Sequence, residues 1–526
     1  MLPGNVTSFL GRFTGALSFQ AHPLIWIIIL SIAIRLNFGF TTYEGDHIVY
    51  AYNAYALLKG EYQLEEVRWL GLRFGLILPI ALFQLVFGVS QFSCTIYSFL
   101  CSIGTVIFIY LIAKQLYHRD VAIISSFLCA IYPLETIVVY HYDADTSVSF
   151  FLTLATYLFI KALYLTRWSL LYFTGITIGI AQLCKDNAFF ILFFFCIWLL
   201  SERPKHFLRV LVGFLSIIFA EWLFFLLATG DPFHKIGVIS KIQRHVTPLG
   251  ETVSGHMQRL FGFPYRLMFN SLYTYSFIIA LLYLLVRRVR PTWTLFPSLW
   301  YFTMLLLILF FPASIIPYYP IPFHSERIYT VLTPPLLLTL GLFLSTSARI
   351  IVFLRPIILI SLFATSLLSI YMISFNYKEQ KSYGEVSFEG VKQLPSGSKV
   401  YADYVLAMSM CYWSNFSDEI EILTYSEEPR FFREESPLSG KHTPLSKIKD
   451  GYLVTNLPLW WELGYRKERG EEFRSWIPPE IFEQVSEWEV IYRRPIYRRQ
   501  SLIGMLLHGV KPPKNIGETV IYRVRD

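Results

Sequence analysis

Residues 43–52 read YEGDHIVYAY, and this stretch decides how the chain is built, because it sets two carboxylates, Glu44 and Asp46, just beyond the first long apolar segment. Acids at a membrane edge signal chemistry or ion binding. They are equally compatible with a solvated loop in which Asp46 caps a helix starting near Ile48. Which reading holds depends on where the rest of the chain puts its charges.

The chain is 526 residues long, 54% hydrophobic and 17% aromatic, with a mean hydropathy of +0.48. A soluble domain holds about 45–50% apolar residues even with glycine counted, so this composition belongs in a membrane. Apolar stretches approaching the roughly 20 residues needed to cross a bilayer recur from Pro23 to Phe375 and then stop. The expected organisation is a polytopic region over 1–376 and a polar tail over 377–526. The first apolar segment leads into an acidic loop rather than a small-residue cleavage pattern, so it reads as a retained anchor. The formal charge of +8 does not indicate nucleic acid, since Lys and Arg gather in short clusters between apolar segments, as in an oriented membrane protein. Of the six cysteines, all but Cys411 lie in or beside apolar segments, so neither a disulfide framework nor a cysteine metal site is expected.

Candidate crossings fall at 23–40, 92–113, 121–141, 146–166, 168–185, 187–201, 207–229, 271–287, 292–312, 328–346 and 349–375. If the basic clusters Lys114 to Arg119, Arg167, Arg203 to Arg209, Arg287 to Arg290 and Arg349 to Arg355 all face the cytoplasm, an even number of crossings separates each from the next. About eleven crossings satisfy this if the apolar run 74–90 is a re-entrant or surface-lying helix on the outer side. The same parity puts the loop 41–72, Asp143 and Asp145, Lys185-Asp186, the loop 230–270, the loop 312–327 and the tail on one extracytoplasmic face. That convergence argues for one composite site.

Asp143 and Asp145 directly precede the apolar run Ser147 to Leu165, where an acid can cap the helix or pair with a second carboxylate to make a base or hold a divalent cation. Lys185-Asp186 interrupts an apolar stretch; the lysine either pairs with Asp186, snorkels to the boundary, or meets a phosphate. In the loop 230–270, His234, His245 and His256 recur at a spacing foreign to zinc ligands, while Arg244 offers a planar fork suited to a phosphate. Arg327 and Tyr329 open the next apolar run, at the depth of a lipid phosphate. No phosphate-binding glycine loop or hydrolytic triad is present. The tail reads as a small α/β domain, with strand-like runs at Val400 to Ala407, Gly451 to Thr455 and Val520 to Arg523, a helix-like stretch around Phe473 to Val485, and Trp460-Trp461 as core or a sugar-stacking surface.

In this order, these motifs resemble the polyprenyl-phosphate-dependent glycosyltransferases of the C-type membrane fold, the superfamily of dolichyl-phosphate-mannose protein mannosyltransferases and lipid A aminoarabinose transferases. The resemblance is carried by Asp46-His47-Ile48-Val49-Tyr50 with Ala54, Leu58 and Gly60; Leu85 to Gly88; Asp145 leading into Ser149-Phe150-Phe151; Lys185; Ile242-Gln243-Arg244; and Glu326 to Tyr329 with Pro334-Pro335. It covers most of residues 20–346. The family's usual Asp-Glu pair is Asp46-His47 here, with Glu44 on the other side, and Arg73 falls near the family's Glu-Lys-Pro.

The resemblance implies an α-helical polytopic protein of the cell (inner) membrane, with outer juxtamembrane helices, whose active site and soluble tail are extracytoplasmic. It implies transfer of a monosaccharide, with inversion, from a polyprenyl-phosphate donor to a hydroxyl on lipid, protein or glycan. Asp46 is then the base and Asp145 its partner, and the resemblance leaves open whether Glu44 substitutes for the acid replaced by His47. His47, Tyr50, Arg73, Lys185, Arg244, Arg327 and Tyr329 bind substrate, and a divalent cation is an option. The alternative reading is a lipid-linked-sugar flippase or transporter, which would favour paired repeats; the sequence has none.

Overall fold

Charge-free runs of Leu, Ile, Phe and Val can satisfy their backbone groups in a bilayer only as helices or closed barrels, and the computed structural model has them as helices. It describes residues 23–36, 46–64, 69–139, 143–246, 271–286, 292–315, 318–320, 326–346, 349–425, 437–438, 440–444, 447–457, 488–498 and 514–524. The first eight helices are α1 (Pro23–Leu36), α2 (Asp46–Lys59), α3 (Phe74–Phe87), α4 (Gln91–Leu116), α5 (Arg119–Ile131), α6 (Pro133–Val138), α7 (Ala144–Leu165) and α8 (Ser169–Cys184). A 3-10 turn, Asp186–Phe189, leads into α9 (Phe190–Glu202), α10 (Phe207–Thr229), α11 (His234–Val246), α12 (Ser271–Val286) and α13 (Thr292–Phe310). After the hairpin β1 (Pro312–Ile315) and β2 (Tyr318–Pro320), a second 3-10 turn (Glu326–Leu332) precedes α14 (Thr333–Leu344) and α15 (Arg349–Val391). Among the described residues, five helices are long and apolar enough to cross a membrane by length and composition, within α4, α7, α10, α13 and α15, and five shorter apolar helices accompany them.

Several expectations change in detail. The run 121–141 is not one helix: Tyr132 takes extended angles (φ −67, ψ 122) and Pro133 starts α6, as expected of a residue whose successor is proline. The run 74–90 folds as the 14-residue α3, roughly 21 Å at 1.5 Å per residue, short of the about 30 Å hydrocarbon core. One side of α3 buries Leu76, Ile77, Ile80 and Ala81, while the other exposes Leu78, Leu82, Leu85 and Val86.

Close helix contacts rest on small residues. Gly175 of α8 faces the Val210 carbonyl of α10, and Gly213 of α10 faces the Tyr172 carbonyl of α8, with no room for a side chain at either. A buried arginine ties the outer helices together: Arg35 Nε donates to Ser102 Oγ (2.9 Å), its Nη1 donates to the Ala130 carbonyl (3.1 Å), and Ser102 donates to Glu135 Oε1 (3.2 Å). This joins α1, α4, α5 and α6.

The tail continues from α15, which runs through positions 376 and 377. It contains β3 (Lys399–Ala402), α16 (Tyr404–Trp413), β4 (Glu421–Thr424), β5 (Tyr452–Leu457), β6 (Glu489–Arg498) and β7 (Lys514–Arg523). The strand order is β4-β3-β5-β7-β6, with β3 parallel to β4 and β5, and β7 antiparallel to β5 and β6. The strand expected over Val400 to Ala407 stops at Ala402, because Asp403 caps α16 by accepting from the Val405 (3.0 Å) and Leu406 (3.1 Å) amides. Ser387 of α15 donates to Asn456 Oδ1 (2.9 Å), holding the helix to the sheet. Phe473 to Val485 and Trp460-Trp461 lie outside the described residues. The core of the tail is continuous with α2 and α3, since Ile48, Tyr50, Ile77 and Ile80 share one buried cluster with Leu406, Met410 and Val454.

Candidate active site

Helix ends gather the charged groups. Asp46 is the first residue of α2, where the positive end of the helix dipole favours a carboxylate. One turn on, Tyr50 is fully buried and accepts a hydrogen bond from the guanidinium of Arg73. Arg73, 4% exposed, precedes α3 and lies over the Trp69 ring, 4.6 Å from its centroid. Burial works against its charge, yet Tyr50, Asp46, Asp186 and Asp145 together hold its pKa above the ordinary arginine value. One cation therefore senses carboxylates from three separate segments.

Gly75 explains how Arg73 reaches them. A side chain there would stand 2.6 Å from Cys184 Sγ, 2.8 Å from the Cys184 amide nitrogen and 2.9 Å from the Leu183 carbonyl carbon. The start of α3 thus lies directly against the end of α8, one residue before Lys185.

Asp145 sits in the first turn of α7 at 2% side-chain exposure, and Lys185 Nζ donates to its Oδ1 at 2.6 Å. Asp143 occupies the capping position of α7 but makes no capping bond with its side chain. The sequence leaves Lys185 three options, Asp186, the membrane boundary or a phosphate; in the structure it crosses to Asp145 of α7 rather than to Asp186. The reason is its extended backbone (φ −163, ψ 135), in which consecutive side chains point to opposite sides. Asp186 consequently faces the other way, and Lys235 of α11 meets it at 3.1 Å and Glu221 of α10 at 2.9 Å.

The remaining candidates divide. His47 is buried in α2, and Tyr329 is half-buried against the main helical core. The backbone of the turn carrying Arg327 and Tyr329 adjoins α7, where Ser149 Oγ donates to the Thr330 carbonyl at 3.4 Å, one turn from Asp145. Arg244 lies in α11 and Arg327 in the turn Glu326–Leu332, while Glu44, His256 and most of the loop 230–270 lie outside the described residues. The structure therefore brings together Asp46, Tyr50, Arg73, Asp145 and Lys185. Glu221 and Lys235 escaped the sequence reading, although an acid within the apolar run 207–229 was the available signal. Among the described residues, no group of three or more His, Cys, Asp or Glu is arranged to hold a metal ion.

Residues 76–226 match the family model described as dolichyl-phosphate-mannose-protein mannosyltransferase. Among solved structures, ArnT from Cupriavidus metallidurans in the apo state is similar at a TM-score of 0.56 and 10% identity, with 95% of this chain and 97% of that chain covered. The same protein bound to undecaprenyl phosphate gives 0.55 and 10% over the same shares. A comparison with curated protein sequences finds no match. The chain therefore shares the fold of ArnT, and its residues 76–226 match the dolichyl-phosphate-mannose-protein mannosyltransferase model.

Proposed function

We propose that the chain transfers a monosaccharide from a polyprenyl-phosphate carrier to an acceptor hydroxyl at the extracytoplasmic face of the inner membrane, with inversion at the anomeric carbon. The observation that carries this is the buried Asp145–Lys185 pair beside Arg73, itself within electrostatic reach of Asp46. Cations and carboxylates at helix ends suit a reaction in which a phosphate leaves while a hydroxyl loses its proton.

Asp46 takes the proton of the acceptor hydroxyl as its oxygen attacks the anomeric carbon. The bond from that carbon to the phosphate oxygen breaks, and its electron pair leaves with the polyprenyl phosphate. Lys185 and Arg73 stabilise that departing charge in a site where burial strengthens each interaction. Asp145 holds Lys185 and shares in orienting the acceptor. Arg244 and Arg327 complete the phosphate contacts, His47, Tyr50 and Tyr329 line the substrates, and Glu44 stands in for the acid that His47 replaces. The 10% identity to ArnT leaves the sugar and the acceptor to be identified by assay.

The test uses the full chain in lipid nanodiscs, a panel of polyprenyl-phosphate sugars, and lipid, peptide and glycan acceptors. Wild type should form product from at least one pair, and Asp46→Asn should lower kcat by about 10²–10⁴-fold. Full transfer by Asp46→Asn would remove Asp46 as the base. Absence of transfer with every donor would refute the reading.

A further inference from the structure

Lys235 belongs to no motif that the resemblance accounts for, yet its ammonium meets two carboxylates from two other segments. Its ammonium lies 2.9 Å from Glu221 Oε1 and 3.1 Å from Asp186 Oδ1, with side-chain exposures of 8% for Lys235, 8% for Glu221 and 32% for Asp186. The backbone brings it there deliberately. Gly230 ends α10 in a left-handed conformation (φ 75) that a side chain would strain, and Asp231 Oδ1 accepts from the Phe233 amide (2.9 Å), so α11 folds back onto α10. Burial opposes the charge of Lys235, but Asp186 and Glu221 outweigh it and hold the pKa above the ordinary lysine value.

A buried ion cluster is weak evidence of stabilisation, because desolvation consumes most of the attraction. Its position suggests another use. Asp186 is bonded to Lys185, and the extended backbone at Lys185 sends the two side chains to opposite sides. Pulling Asp186 toward α10 and α11 therefore sets the direction in which Lys185 points, toward Asp145 at 2.6 Å. Without Lys235, Asp186 becomes free to draw Arg73, which already feels its charge.

We infer that Lys235 is a positioning residue: held by Glu221, it fixes Asp186 and so aims Lys185 at the acid site, while anchoring the start of the helix that carries Arg244. The role of Lys185 in holding the donor phosphate rests on the proposed function; the mechanical coupling does not.

The experiment separates the two, using full-length wild type, Lys235→Met, Lys235→Arg, Glu221→Gln, Lys185→Met and the Lys235→Met/Lys185→Met double variant in nanodiscs. Hydrogen exchange of residues 183–190 and 231–246 needs no turnover. Lys235→Met should speed exchange in both segments by about tenfold, as for loss of a local anchor, and Lys235→Arg should restore protection. Glu221→Gln, which keeps the Asp186 contact, should give a smaller change and serves where Lys235→Met folds poorly. Unchanged exchange over 183–190 in both Lys235→Met and Glu221→Gln would overturn the inference. In the transfer assay Lys235→Met should raise the donor KM about tenfold, with kcat within about threefold, because a displaced phosphate ligand weakens binding before chemistry. The double variant should be no worse than Lys185→Met alone, and additive losses would show that Lys235 acts independently of Lys185. If wild type transfers no sugar, the proposed function fails while the exchange arm still decides the positioning.

Discussion

The Asp145–Lys185 pair permits a quantitative test. At 2.6 Å two unit charges attract by roughly 6 kcal/mol at an effective dielectric of about 20. Most of that is offset by taking both ions out of water, so the measurable quantity is the cost of orphaning either one, about 3–5 kcal/mol for a buried pair. The two orphans are unequal. Asp145 is 2% exposed and has nowhere to go, whereas Lys185 is 14% exposed on a flexible stem that can reach water. Lys185→Met should therefore cost about 4 kcal/mol and Asp145→Asn about 2–3 kcal/mol, while the double variant, which leaves neither charge unpaired, should cost less than Lys185→Met alone. Unfolding by SDS in mixed micelles, followed by near-ultraviolet dichroism, measures all four proteins under one condition. A double-variant loss equal to the sum of the singles within about 0.5 kcal/mol would mean that the two residues do not act as a pair. A milder effect of Lys185→Met than of Asp145→Asn would refute the depth argument.

Three further outcomes follow from particular contacts. Gly75→Ala should lower transfer by about 10²-fold through misplacement of Arg73, and Cys184→Ala should not rescue it, because the backbone atoms of Leu183 and Cys184 remain within 3 Å of the new side chain; rescue would show that the sulfur alone sets the spacing. In the tail, burial raises the pKa of Asp403 above its ordinary value, with the Leu406 and Val405 amides opposing, so its stability contribution is full below about pH 3.8 and is lost as pH rises through the raised value. Asp403→Asn keeps the cap without the charge and should match or exceed wild-type stability at pH 7, while Asp403→Ala should lose about 1 kcal/mol; thermal unfolding of the two variants at pH 4 and pH 7 checks both the size and the sign. Phe416→Ala removes the ring packed on Tyr52 (5.6 Å) and Tyr55 (5.5 Å) and should cost about 3 kcal/mol together with a fall in transfer rate, since these tyrosines belong to the helix that begins with Asp46; unaltered transfer would separate the tail from the site.

The helical membrane fold was legible because uninterrupted apolar runs leave the backbone few alternatives; Asp46, Asp145 and Lys185 stood out as charges beside such runs, and Arg73 only through the resemblance. Pairing was not. The chain shows Lys185 next to Asp186, and only the extended backbone at Lys185 separates their partners. Lys235 carries no signal of its own, since nothing in the sequence announces that Gly230 ends α10 and returns the chain to Glu221. The Val400 to Ala407 run misled for a different reason. Short apolar runs carry no decisive period, and the signal that mattered was Asp403, whose side chain caps the helix after the strand has ended.

Among the described residues, the tail bears on the candidate site through packing. A helix of 14 residues such as α2 is at the edge of what holds in isolation, and its sequence is buried on nearly all sides, with His47, Ile48, Val49, Tyr50, Ala51, Asn53, Ala54 and Ala56 enclosed. Its orientation must come from what surrounds it. On one side α3 provides Ile77 and Ile80, and Gln84 Nε2 donates to the Ala51 carbonyl at 3.1 Å. On the other, Phe416 closes on Tyr52 and Tyr55, and Leu406, Met410 and Val454 continue the same core into the sheet. The direction of the first turn of α2, and with it the carboxylate of Asp46, is thus set jointly by α3 and the tail. Since α3 is also the helix whose start presses Gly75 against α8, Asp46, Arg73 and Lys185 share one mechanical frame. A change in the tail core reaches the candidate base through α2 and α3, which share its buried cluster, whereas a change at Gly75 acts first on Arg73 and Lys185.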